Sequence, residues 1–157
     1  LLEPRTLAKM LDALDLRPDD LVLDLAVGTG YSSAVIGRVA QAVVAVEAEG
    51  SLAAEAEAVL ADLGGGRVVV EVGAPEAGAP QHGPYDAMNL QGGIETLPEA
   101  LGAQLKEGGR VVGLFVDGPL GTVRLGVRRS GGIHWRDLFN AGAPVLPGFA
   151  RERSFAL

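Results

Sequence analysis

A glycine loop and a carboxylate are the features of this chain whose types and spacing could do chemistry. Leu21-Val22-Leu23-Asp24-Leu25 is an apolar run too short for a helix, and it leads into Ala26-Val27-Gly28-Thr29-Gly30. A buried strand ending in glycines lets backbone come close to a ligand. Seventeen residues after Gly30, Glu47 closes a second apolar run, Val43-Val44-Ala45-Val46. At the carboxyl end of a strand in an open α/β sheet, such a carboxylate can accept hydrogen bonds from a ribose diol. The spacing points to a bound nucleoside, with Asp24, Ala26, Gly28, Gly30 and Glu47 as candidate contacts. For Asp24 the favoured reading is that it orients the loop by accepting backbone N–H bonds; the other is a contact to a ligand ammonium through water.

Several classes of chemistry lack their residues. A dinucleotide loop needs a third glycine for close helix packing, and that position is Ser33. There is no cysteine, and His82 and His134 stand far apart without ligand-spaced partners, so no metal site is expected. No Ser-His-Asp, Cys-His or paired-carboxylate arrangement supports a hydrolase. Twenty acidic against 13 basic residues give a net charge of −7, contrary to what non-specific nucleic-acid binding requires. Arg124, Arg128 and Arg129 form the densest basic group before the tail and suit an exposed strand face. Gly64-Gly65-Gly66 is a turn rather than a phosphate cradle, since no Lys-Ser/Thr follows. Without a long apolar run or an export signal, the expectation is a soluble, cytoplasmic protein.

The elements that must position these residues follow from periodicity. Leu7, Met10, Leu11 and Leu14 recur at helical spacing over residues 4–16, with Pro4 in the first turn. Strands are expected at 21–25, 42–47, 67–72, 85–90 and 110–116. Helices are expected at 31–40 and 51–63, and from a capping box at Thr96-Leu97-Pro98-Glu99 to Leu105. This alternation implies a parallel sheet with helices on both faces. Residues 120–128, 132–139 and 151–156 then read as strands without intervening helices, so the sheet should finish antiparallel at one edge. Tyr85 and Asp86 should fill the core and cap their strand. The apolar tail at 139–149 should pack within the monomer, although a dimer contact is the alternative. With 157 residues, 48% of them hydrophobic, the chain suits one domain spanning 1–157. Because the first residue is Leu1, a preceding segment of a longer protein is expected.

The run from Asp24 to Gly30 resembles the first motif of class I S-adenosylmethionine-dependent methyltransferases, acidic-x-Gly-x-Gly-x-Gly, with Ala26 in place of the first glycine. A methyl group there is tolerable if Ala26 keeps negative φ; the alternative is that it crowds the methionine part of the ligand. Four stretches in order resemble the protein-L-isoaspartate O-methyltransferase family over about residues 1–116. Leu2-Glu3-Pro4-Arg5 is similar to its Ser-Gln-Pro-Tyr, and Gly30-Tyr31-Ser32-Ser33-Ala34-Val35 to its Gly-Tyr-Gln-Ala-Ala-Val. Gly83-Pro84-Tyr85-Asp86-Ala87-Met88 is similar to Ala-Pro-Phe-Asp-Ala-Ile, and Leu97-Pro98 through Leu105-Lys106-Glu107-Gly108-Gly109-Arg110 to Ile-Pro…Gln-Leu-Lys-x-Gly-Gly-Arg.

The resemblance implies a Rossmann-like three-layer sandwich, mostly parallel with antiparallel edge strands. It also implies S-adenosyl-L-methionine as methyl donor and a protein or peptide carrying an isoaspartyl-type carboxylate as substrate, in a monomer or homodimer. It would put Gly28 and Gly30 at the methionine end of the donor, Glu47 on the ribose and Gly73-Ala74 beside the adenine. Departures fall on contact positions. Leu2 replaces the active-site serine, Arg5 the tyrosine, Gly73-Ala74-Pro75 a Gly-Asp-Gly, and Leu90-Gln91-Gly92-Gly93 a Thr-Ala-Ala-Ala. Glu76 is a substitute for the missing carboxylate, or else a water-exposed loop residue. Arg5 steers a carboxylate substrate, or is a solvated first-turn residue. No catalytic residue is assigned. Two rival readings stand beside the repair methyltransferase: a non-catalytic relative acting as a binding or assembly module, and a small-molecule methyltransferase.

Overall fold

The computed structural model describes residues 2–64 and 67–153. Helix α1 (Pro4–Leu14) places Pro4 in its first turn, buries Leu7, Met10 and Leu14, and stops where Asp15 turns left-handed at φ 50°. Seven strands follow: β1 (Leu21–Leu25), β2 (Ala42–Glu47), β3 (Val68–Val72), β4 (Tyr85–Ile94), β5 (Leu105–Asp117), β6 (Leu120–Arg129) and β7 (Gly132–Asn140). They form one sheet in the order β3-β2-β1-β4-β5-β6-β7, parallel from β3 to β5 and antiparallel at β6 and β7.

The central strand β1 is buried on both faces, and successive residues split between two cores. Val22 joins Met10, Leu14, Ile36 and Val112 under α1 and α2 (Tyr31–Ile36). Leu23 and Leu25 join Met88, Leu90, Leu101 and Phe149 on the other face. There the cover is thin: α4 (Glu99–Gly102), two 3₁₀ turns at Pro75–Ala77 and Pro80–His82, and the tail. Helix α3 (Gly50–Asp62) packs beside β2 and β3.

The structure shortens or moves some expected elements. Helix α2 ends at Ile36 rather than residue 40: beyond it the amides of Arg38 and Val39 reach back three residues, to the carbonyls of Val35 and Ile36, so the helix tightens into a turn. The chain then turns, and Gln41 and Ala42 donate to the Asp20 carbonyl on the way into β2. The capping box does not form. Pro98 is the cap of a four-residue α4, while the amides of Glu95 and Thr96 donate to the Phe149 carbonyl. Leu105 already belongs to β5. Gly108-Gly109 lie inside that strand, where pairing jumps from Tyr85↔Leu105 to Ala87↔Arg110 and Gly108 takes φ 79°. Residues 151–153 form no strand, and the rest of that expected element, like Gly65 and Gly66, lies outside the described residues.

The tail packs within the chain, as expected. Its backbone runs beside β4, with Gly93 N–H donating to Pro144 and Leu146 N–H to Gly93, and Phe149 is fully buried. Tyr85 is buried in the core with its hydroxyl on the Ala79 carbonyl, and its pKa is pushed up to about 12 by burial and by Glu71. Two of the three arginines of the basic group are engaged internally: Arg124 pairs with Asp137, and Arg128 donates to the carbonyls of Gly102, Ala103 and Leu105 where α4 ends.

Candidate functional site

The carboxyl ends of β4, β1, β2 and β3 enclose a cleft of about 400 Å³. Beneath it Asp24, fully buried, accepts from the hydroxyls of Ser32 (2.6 Å) and Ser33 (2.7 Å) and from Asn89 Nδ2 (2.9 Å). The loop 26–30 is thereby held at both ends, by β1 and by the first turn of α2. Asp24 orients the loop, but through hydroxyls rather than backbone N–H groups, and it does not line the cleft. Burial raises its pKa, opposed by the three hydrogen bonds.

Within the loop, Ala26, Gly28 and Gly30 all have positive φ, at 60°, 59° and 90°. The tolerance expected of Ala26 therefore fails on its own condition: this residue adopts a conformation that costs an L-residue roughly 1–2 kcal/mol. Its N–H and that of Val27 donate to the Val46 carbonyl, which draws the loop over the end of β2 and keeps it left-handed. Gly30 does not line the cleft. A Cβ there would stand 3.1 Å from that of Ala56, so its lack of a side chain serves the packing of α3.

Glu47 is 7% exposed, and its two oxygens accept from the amides of Gly28 (2.9 Å) and Glu49 (2.8 Å). An ionised carboxylate has about four acceptor positions, so each oxygen keeps one for a further donor. Glu47 lines the cleft together with Ala26, Gly28, Ala74 and Glu76. Gly73 does not; its N–H donates to the Glu47 carbonyl and sets where Ala74 stands. Glu76 is half-buried, its carboxylate filling the space where a side chain at Gly148 would be, rather than standing free in water.

The structure brings in residues that the sequence reading assigned no place in the site: Leu52 from α3, Leu146 and Pro147 from the tail, and Gln91 from β4, which had read only as a departure from the family pattern. A usable signal was present, since Gly92-Gly93 precede no turn and an apolar tail needs somewhere to lie. A Cβ on Gly92 would meet Leu146 at 2.5 Å, and one on Gly93 would meet the Pro144 carbonyl at 2.8 Å. Leu2 is buried in the core, and Arg5 is exposed on the first turn away from the cleft. A larger cleft of about 610 Å³ lies where α2 and α3 end and β3 begins, lined by Arg38, Leu60 and Arg67 among others. It sits at the wrong end of the strands for a sheet of this kind and holds no carboxylate, so the smaller cleft is the functional candidate. Among the described residues no cluster of His, Asp or Glu could hold a metal, and no helix is long and apolar enough to cross a membrane.

A parallel sheet with antiparallel edge strands, a glycine loop after β1 and an acidic residue ending β2 define the Rossmann-like methyltransferase class. Solved structures agree. A protein-L-isoaspartate O-methyltransferase superposes over 92% of this chain and 47% of its own, with a TM-score of 0.86 and 26% identity. The fold is shared by a Plasmodium falciparum putative protein-L-isoaspartate O-methyltransferase in complex with S-adenosyl-L-homocysteine, with a TM-score of 0.78 and 18% identity over 91% of this chain and 73% of that one. Residues 2–118 match the model of the protein-L-isoaspartate(D-aspartate) O-methyltransferase family, and this chain belongs to that family. A Methylorubrum extorquens protein-L-isoaspartate O-methyltransferase is 40% identical over 139 residues, which is 88% of this chain and 58% of the relative. The chain thus spans little more than half the length of that relative.

Proposed function

We propose that the protein binds S-adenosyl-L-methionine in the cleft and methylates an isoaspartyl-type carboxylate of a damaged protein or peptide. The observation that carries this reading is Glu47, a buried carboxylate at the end of β2 that retains acceptor capacity beside the glycine loop. The cleft fits the donor in charge as well: Glu47, Glu49 and Glu76 line a site that would take a cationic sulfonium ligand. Glu47 would hold the ribose, the loop at Gly28, bare of a side chain there, would let the methionine end approach the backbone, and Ala74 to Glu76 would border the adenine.

When bound, the donor supplies an electrophilic methyl group on sulfur. A substrate carboxylate is already ionised at neutral pH, so the chain need provide no general base; it provides proximity, orientation and exclusion of water. Asp24 fixes the loop from below, and Leu146 and Pro147 wall the cleft from the tail side. We place this activity in one cytoplasmic domain, monomeric or homodimeric, with no nucleic-acid partner.

A second reading, donor binding without transfer, is favoured by Leu2, which buries an apolar side chain in the core where relatives would carry a serine. Calorimetric titration of S-adenosyl-L-methionine, with Glu47→Ala as control, followed by a methyl-ester assay on an isoaspartyl peptide, tests both. Binding that the substitution abolishes, with peptide turnover, supports the enzyme. Binding without turnover supports the second reading, and absence of binding overturns both.

A further inference from the structure

Gln91 is 3% exposed, lines the cleft, and has a buried Oε1 with no hydrogen-bond partner. Among the described residues the only other buried side-chain oxygen or nitrogen left in this state is Asn89 Oδ1, whose own amide nitrogen is bound to Asp24 and which does not line the cleft. A buried acceptor without a donor is destabilising, so an orphan in the wall of a cleft asks for a ligand.

Its place in the sheet says which part of the ligand. β4 pairs with β1 through Leu25↔Leu90, so Gln91 comes one residue further along, beside Ala26 and on the opposite side of the glycine loop from Glu47. A nucleoside with its diol on Glu47 and its base toward Ala74 runs across the end of β1, and its far end reaches β4. We propose that Gln91 recognises the amino-acid end of the methyl donor, its Oε1 accepting from the α-ammonium and its Nε2 donating to the α-carboxylate. This inference rests on the donor-binding reading above.

A primary amide suits that task because it offers an acceptor and two donors on one rigid plane, the complement of a zwitterion. A carboxylate would repel the ligand's own carboxylate and add to the charge of Glu47, Glu49 and Glu76. The side chain is also held from behind. The tail lies so close to Gly92 and Gly93 that neither tolerates a Cβ, which fixes the backbone carrying Gln91, and Leu146 continues the cleft wall beside it.

The test compares two ligands that share the nucleoside and differ in the amino-acid end, S-adenosyl-L-homocysteine and 5′-methylthioadenosine, titrated calorimetrically into the protein and its Gln91→Met variant. Methionine keeps the length of glutamine without its polar atoms. The expected result is a fall in affinity for S-adenosyl-L-homocysteine of about 10- to 100-fold with affinity for 5′-methylthioadenosine unchanged within about twofold. Should Gln91→Met fail to fold by thermal melting, the isosteric Gln91→Glu carries the same comparison, with the same selective loss expected. Equal affinities of variant and parent for both ligands, or an equal loss for both, would overturn the assignment while leaving the donor-binding reading intact. If the parent protein binds neither ligand, that reading fails and the assignment with it.

Discussion

At the amino ends of β1, β4 and β5 the polar groups are closed on one another. Arg110 donates to the carbonyls of Leu14, Asp15 and Asp86 and to Asp20 Oδ2 at 2.7 Å, while Asp86 takes the Leu21 amide and Lys106. At the carboxyl ends of the same sheet, Glu47 keeps acceptor positions free and Gln91 Oε1 has no partner among the described residues. One end uses its polar groups to hold α1 and the strands in register, and the other leaves acceptor positions open at the cleft. Buried hydrogen-bonding capacity left unused, rather than cleft size, tells the two ends apart, since among the described residues no buried unpartnered side-chain atom lines the larger cleft near Arg38 and Arg67.

The sharpest way to break this comparison is Arg110→Met. Removing one partner of a pair whose side chains are 19% and 6% exposed leaves Asp20 with only the Arg17 amide and takes a donor from the carbonyls of Leu14, Asp15 and Asp86. A stability loss of about 3 kcal/mol is expected in urea denaturation, with ligand affinity of the folded fraction unchanged. The mirror case is Glu47→Ala, expected to weaken S-adenosyl-L-homocysteine binding at least about 100-fold while costing about 1–2 kcal/mol through the amides of Gly28 and Glu49. A larger stability loss at Glu47 than at Arg110 would mean that the carboxyl end is a structural device and the contrast is false.

The sequence made the frame of this site legible and left its walls hidden. Strands β1 and β2 are short apolar runs whose identity is local, so Glu47 and the glycine loop could be placed from spacing alone. The switch to antiparallel pairing at β6 was legible because the helices stop. Gln91 read only as a departure from a family pattern, because its role depends on Leu146 and Pro147, more than fifty residues away, and no local periodicity encodes that contact. The hydroxyl partners of Asp24 were hidden for a similar reason: Ser32 and Ser33 reach it only once the loop folds back. The capping box at Thr96 misled because the Phe149 carbonyl takes the amides that a helix start would have left free.

Two aspartates sharpen the comparison through pH. Burial would raise the pKa of Asp86, but the Leu21 amide and Lys106, with Arg110 nearby, outweigh it and lower it below its ordinary 3.8. Its native form therefore binds a proton less tightly than the unfolded chain does. The stability it contributes is complete above the ordinary aspartate range and is lost as pH falls through the native value. Asp24 has the opposite sign: burial raises its pKa, so its charge burdens the fold at neutral pH and protonation relieves that burden. Asp86→Asn should cost about 1 kcal/mol at pH 7, with the gap from the parent closing below about pH 4 in denaturation series. A gap that stays constant with pH would show that the Asp86 charge contributes nothing.

The smallest expected effect falls on the glycine loop at the carboxyl end of β1. Ala26 sits at φ 60°, where a β-carbon is strained by roughly 1–2 kcal/mol, yet glycine would add back about 0.5–1 kcal/mol of unfolded-chain entropy. Ala26→Gly should therefore gain about 0.5–1 kcal/mol, read as a rise in the urea midpoint with unchanged slope. Because Ala26 lines the cleft between Glu47 and Gln91, removal of its methyl group should not lower affinity for S-adenosyl-L-homocysteine. Higher stability with lower affinity would mean that the strained conformation is what shapes the loop backbone to the ligand, so that strain as well as unused hydrogen-bonding capacity distinguishes the carboxyl end of this sheet from its amino end.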